Sequence, residues 1–202
     1  MHNSSLRIAI VAAALAAAPV LAASAQGNPM RMGRGMVMMN NQKQVVDHMI
    51  VGDSMEVEMA KLAAARSQNA AVRNFANTLV TDHTNHLANL RKLAGKRDIG
   101  REANPADSSG MRNGRMLSRM QSMTADSTFD RNFVRQEVRH HMRALAELND
   151  LRSVARDDDL QHDIDATRPV LERHLALARS LAAQMGIPAD SGRGRRGGPP
   201  RR

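Results

Sequence analysis

Between Leu79 and Leu90 the chain reads Leu-Val-Thr-Asp-His-Thr-Asn-His-Leu-Ala-Asn-Leu, and one imidazole falls where a helix needs an apolar side chain. Val72, Ala76, Leu79, Leu87, Leu90 and Leu93 recur at spacings of three and four, one face of a helix, and His83 lies in that stripe. A polar group taken out of water costs about 1–3 kcal/mol unless it is hydrogen-bonded. The elements facing this helix must therefore carry partners for His83, which commits the chain to helices packed around a polar layer.

The rest of the sequence supplies such helices. Val45, Met49, Gly52, Glu56, Met59 and Ala63 predict a first helix over Gln42–Arg66 with Glu56 in its apolar stripe. Ser67 or Asn69 caps the second, which runs to Gly95, where glycine marks a stop. Gly100, Pro105, Asp107-Ser108-Ser109-Gly110 and Gly114 mark residues 96–125 as a linker with one short helix around Arg115–Met123. About 30 residues can cross the full length of a helix bundle, as in ferritin-like folds. The third predicted helix is capped by Asp126, Ser127 or Thr128 and carries Phe133, Glu137, His141, Ala144, Leu148, Leu151 and Ala155 on one face. The fourth opens on the acidic run Asp157–Asp159, which suits a helix N-terminus, and places Leu160, Ile164, Thr167, Leu171, His174, Ala178, Leu181 and Met185 together. Pro169 predicts a kink or a break into two segments there. The expected fold is all-α: a ferritin-like four-helix bundle over residues 42–186, with a long crossover between helices 2 and 3.

Residues 1–25 read as a signal peptide, with Arg7, an apolar run Ile8–Leu21 and the small-residue site Ala23-Ser24-Ala25. Cleavage near Ala25 would leave a periplasmic or secreted protein, and no later apolar run is long enough to span a membrane. Residues 26–41 form a Met/Gly/Arg leader and 187–202 a basic tail, both expected to be disordered. The leader methionines Met30, Met32, Met36, Met38 and Met39 offer thioethers of the kind that hold Cu(I). The net charge of +9 places +2 on residues 26–41 and +4 on residues 190–202, leaving a nearly balanced body. Such tails suit anionic envelope components. Nucleic acid is not expected, because Trp and Tyr are absent and Phe is limited to 3. With Cys 0, thiolate sites and thiol catalysis are excluded.

At about 1.5 Å of rise per residue, Glu56, His83, His141 and His174 all fall near mid-bundle, one from each helix. Converging carboxylate and imidazole groups can hold one Fe, Zn, Mn or Cu ion. Asp82, His86 and Glu137 are further candidate ligands. The competing expectation is a metal-free core in which His83 bonds Glu56, or His174 bonds Glu137. A full dinuclear centre is not expected, because helix 2 has no Glu three residues before its His and Glu172 lies two before His174. His48, His86, His140 and His162 read as solvated flank residues. No nucleophile elbow, phosphate loop or zinc-protease motif occurs, so an enzyme is not the first expectation.

Four phrases in order resemble a bacterial family, domain of unknown function 4142: Met55–Ala63, Phe75–Thr84, Phe129-Asp130-Arg131 followed by His141, and Arg168–Leu175. The resemblance covers residues 44–185 and implies an exported, ferritin-like protein of unestablished activity. It marks Asp82-His83, His141 and His174 as motif positions. This chain has His140 where the family usually has Asp, and Arg168 where it often has Leu.

Overall fold

The structure, a computed structural model, describes residues 38–188. Its elements are α1 Gln42–Arg66, α2 Ala70–Lys96, α3 Ser109–Ser122, α4 Ser127–Val154 and α5 Asp158–Gln184. The described residues are all-α, with five helices, where the sequence predicts a four-helix bundle with one short helix in the crossover. That short helix is α3, which begins at Ser109, six residues before the expected start at Arg115, and passes through Gly110 and Gly114. Gly110 faces α1: a Cβ there would sit 3.2 Å from Val51 Cγ1, a tight contact to which the Val51 side chain would have to yield.

Polar caps begin the four long helices. Asn41 accepts from Gln44 N–H, Asn69 from Ala71 and Val72, Asp126 from Thr128 and Phe129, and Asp157 from Leu160. α2 ends at Lys96, one residue past the expected stop at Gly95. Asp98 takes the left-handed conformation (φ 52°), and Ile99 N–H returns to the Ala94 carbonyl. Gly186 (φ 61°) and Ile187 close α5 in the same way, with Ile187 buried. Pro169 does not divide α5. Its ring is exposed, as is Asp165, whose carbonyl loses its helical donor, so solvent can take that bond.

Residues 67–69 join α1 to α2 and residues 155–157 join α4 to α5, which makes each pair an antiparallel hairpin. Arg97 at the end of α2 bonds Asp159 at the start of α5, so those two neighbours are also antiparallel. Gln42, at the start of α1, accepts from the backbone of Arg156 and Asp157. The connection after α2 therefore climbs the outside of α1: Glu102 N–H meets the Lys43 carbonyl, and Arg66 donates to Met120, Gln121 and Met123 carbonyls at the far end of α3. α4 then starts beside Arg66, whose guanidinium lies 5.2 Å from the Phe129 ring centre.

The apolar stripes form two cores. One contains Met59, Val72, Phe75, Leu79 and Phe133; the other contains Val46, Ile50, Leu90, Leu160 and Ile164. Between them, in sequence and in space, lies a buried polar layer of Asp53, Glu56, His83, Glu137, His141 and His174. Met39 is also buried, and Met38 is exposed; the other leader methionines, the signal sequence and residues 189–202 lie outside the described residues. No helix among the described residues is long and apolar enough to cross a membrane.

Candidate functional site

α1 supplies Glu56, α2 His83, α4 Glu137 and His141 one turn apart, and α5 His174, each near the middle of its helix. All but His83 are fully buried, and His83 is 5% exposed. The helical stripe forces them inward, since each occupies a position whose neighbours three and four residues away are core side chains.

Hydrogen bonding fixes which ring nitrogen of each histidine carries its proton. His141 Nδ1 is 3.0 Å from the Glu137 carbonyl, which can only accept, so Nδ1 is the N–H. His174 Nε2 is 2.8 Å from Asp82 Oδ2, and His83 Nδ1 is 2.9 Å from Asp53 Oδ1. Burial works against ionising Asp82 and Asp53. Contacts with His174 and Arg173, and with His83 and His86, outweigh it and hold both carboxyls below their ordinary range. Both therefore accept. In the neutral rings this leaves His141 Nε2, His174 Nδ1 and His83 Nε2 as bare lone pairs.

Those lone pairs converge. His141 Nε2 faces His174 Nδ1 at 3.2 Å, and His83 Nε2 is buried without a hydrogen-bond partner. One nitrogen from each ring lies within 4.8 Å of the others. Two lone pairs at that separation repel unless a cation, a proton or a metal ion, stands between them. Burial pushes His141 down to about 3, against the charge of Glu56 and with the help of His140 and His83, and burial also lowers His174. The proton is thus the disfavoured cation at this pair. His83 is shifted the other way: burial is outweighed by Asp53 and Glu56.

Beside the imidazoles, all four side-chain oxygens of Glu56 and Glu137 are buried without hydrogen-bond partners, and an atom of His141 lies within 4.8 Å of an oxygen from each. Two carboxylates this close and this dry cannot both ionise. Burial and the Glu56 charge raise Glu137 well above the usual carboxylate range. For Glu56, burial is overcome by His140, whose Nε2 is 3.5 Å from Oε2, and by the other imidazoles, so it stays charged.

The structure brings Glu56, His83, Glu137, His141 and His174 into one layer, but their partners differ from those expected. His83 bonds Asp53 instead of Glu56, and His174 bonds Asp82 and His141 instead of Glu137. Asp82, read as a further ligand, spends an oxygen orienting His174. His86 is no solvated flank residue: its Nδ1 is 2.7 Å from Asp53 Oδ2 and its Nε2 3.0 Å from Asp163 Oδ2. Those carboxylates, overcoming burial, raise it to about 10. His48 lies between Asp107 and Glu147, His140 is half-buried, and His162 is exposed as expected. Sequence reasoning missed Asp53. Its signal was available, since it lies one turn before Glu56 and two helical turns can share a face. A cleft of about 270 Å³ between α2 and α5, bordered by Asp82, His83, His86 and Asp163, reaches the layer from solvent.

Residues 29–181 match the family described as Domain of unknown function (DUF4142). The fold is similar to the crystal structure of a DUF305 fragment from Deinococcus radiodurans, with a TM-score of 0.63 at 14% identity over 74% of this chain and 99% of that one. At that identity the likeness concerns the fold alone. No curated protein matches the chain.

Proposed function

Because the chain belongs to the family described as Domain of unknown function (DUF4142), whose description names no activity, we propose a function from the site itself: an exported helical protein that holds one transition-metal ion at His83, His141 and His174. The four long helices are read as a ferritin-like bundle, with α3 carried in the crossover. The observation that supports this most is the set of three inward lone pairs, each on a ring whose other nitrogen is tied to an oxygen acceptor. That outer arrangement is how protein metal sites set tautomer and orientation. Glu56 supplies negative charge beside the imidazoles and is the carboxylate able to complete the set. Imidazole with carboxylate suits Zn, Cu or Fe, with Mn weaker by affinity order. The role would be metal handling or stress tolerance rather than catalysis.

Metal analysis of untagged protein, before and after dialysis against Zn, Fe, Mn or Cu, tests the reading. One equivalent retained and lost in His83→Ala supports it. Sub-stoichiometric retention of every metal, unchanged in His83→Ala, favours the second reading, a hydrogen-bonded core in which a proton on His83 supplies the cation. Export is tested by N-terminal sequencing of secreted protein, with Gln26 as the expected first residue. That second reading is of a non-enzymatic periplasmic chaperone or envelope-associated protein whose basic tails attach to anionic envelope components.

A further inference from the structure

Charge on the helical body is nearly balanced in sum and segregated in space. Residues 109–143 carry seven arginines against three acidic side chains, and two of those three, Asp130 and Glu137, are buried. α3 contributes Arg112, Arg115 and Arg119 and has no acidic residue. On α4, Arg135 and Arg139 are one turn apart and share a face.

Elsewhere arginines find carboxylates: Arg97 pairs with Asp159, Arg101 with Asp47, Arg152 with Asp165 and Arg173 with Asp82. Arg119 and Arg135 have no such partner among the described residues, yet with Arg139 they line one groove of about 320 Å³ between α3 and α4. Asn132 and Gln136 add amide groups to the same wall, and Met116, Met120 and Met123 give it apolar surface. No carboxylate lines it. The guanidinium groups of Arg119 and Arg135 have no carboxylate partner among the described residues, and their planar forks match pairs of oxygens on a tetrahedral oxyanion.

We propose that this groove binds a phosphate-type oxyanion, as free phosphate or as the phosphoryl group of an anionic lipid headgroup. The site is separate from the histidine layer and does not depend on metal. Arg119 and Arg135 approach the anion from opposite walls, Asn132 and Gln136 donate to its remaining oxygens, and the methionines exclude water from one side.

Titration calorimetry of the purified chain with inorganic phosphate and pyrophosphate, against acetate and chloride at fixed ionic strength, tests this together with sedimentation on vesicles of phosphatidylglycerol or phosphatidylcholine. Saturable binding of phosphate or pyrophosphate assigns a soluble anion; binding only to phosphatidylglycerol vesicles assigns a headgroup. In either case Arg119→Gln and Arg135→Gln should weaken binding about tenfold or more, as loss of a charge-assisted contact does. Arg91→Gln, the same charge change on an exposed face of α2, should alter it by less than about twofold. His174→Ala should leave it intact, which keeps this test apart from the metal assignment. No saturable binding to any of the three phosphate sources, or an equal loss in Arg91→Gln, overturns the proposal.

Discussion

At the residue scale the site turns on which nitrogen holds a proton. Asp82 forces His174 to present Nδ1 inward, so Asp82→Asn, which can donate to or accept from Nε2, should lower metal affinity about 10–100-fold in chelator competition. Asp82 is partly exposed, so the fold should survive the change. The two buried glutamates separate by charge. Glu137 is already neutral, and Glu137→Gln in chelator-treated protein should move the denaturation free energy by less than about 1 kcal/mol. Glu56→Gln removes the charge that His140 and the other imidazoles answer and should cost roughly 3 kcal/mol or more. Equal costs would show that the charge is shared. The positions of His83, Glu137, His141 and His174 were legible because helical periodicity states which side chains point inward. Their partners were not, because a period says nothing about rotamer or helix rotation: Asp53 lies a single residue from the stripe position Gly52 and still reaches two imidazoles.

At the scale of elements, the long helices were legible from caps and stripes, and α3 only in its second half, as a short helix around Arg115–Met123. Gly110 and Gly114 carry turn chemistry locally, yet the helix runs through both, with a Cβ at Gly110 falling 3.2 Å from the Val51 side chain and one at Gly114 meeting nothing within 4 Å. Arg66 and His48 hold that helix in place. His48 Nδ1 is 2.7 Å from Asp107, whose other oxygen accepts the Ser109 N–H at the start of α3. Burial opposes charge on both, but contacts with Glu147 and Asp107 raise His48, and those with His48 and Ser109 lower Asp107. The His48 contribution is fully present below its unfolded value of about 6.5 and is lost as pH rises through its folded value. The Asp107 contribution is present above about 3.9 and is lost as pH falls through its folded value. The clasp should thus add about 1 kcal/mol near pH 5–6, measured as the gap between the parent chain and His48→Gln, and the gap should narrow in alkali. A gap that widens above pH 8 would reverse the assignment.

Over the whole molecule, two apolar cores are held apart by a polar layer, and that layer sets how stability responds to metal and to pH. Metal at a hundred times its dissociation constant adds about 2.7 kcal/mol to the folded state, which for a chain of this size raises the melting temperature by roughly 5–11 °C. Chelator should remove that increment. The metal-free protein has its own sign. His141 and His174 have folded values below the unfolded one, so between about pH 3 and 6.5 the unfolded chain binds more protons and stability falls with acid. His83 is raised, so its contribution is present below about 6.5 and lost as pH rises through its folded value, the opposite slope. His86, raised to about 10, His48 and the buried carboxyl of Glu137 are raised as well and share the His83 slope, so the raised groups outnumber the two lowered rings and chelated protein should melt at least as high at pH 5 as at pH 7. Metal-loaded protein should instead lose stability from pH 7 to pH 5, because a proton on any of the three rings displaces a ligand. Thermal melts from pH 5 to 8 with and without chelator measure both slopes. A chelator-insensitive protein that gains stability toward pH 5 would mean that the His83 proton, and no metal ion, is the cation around which the layer is built.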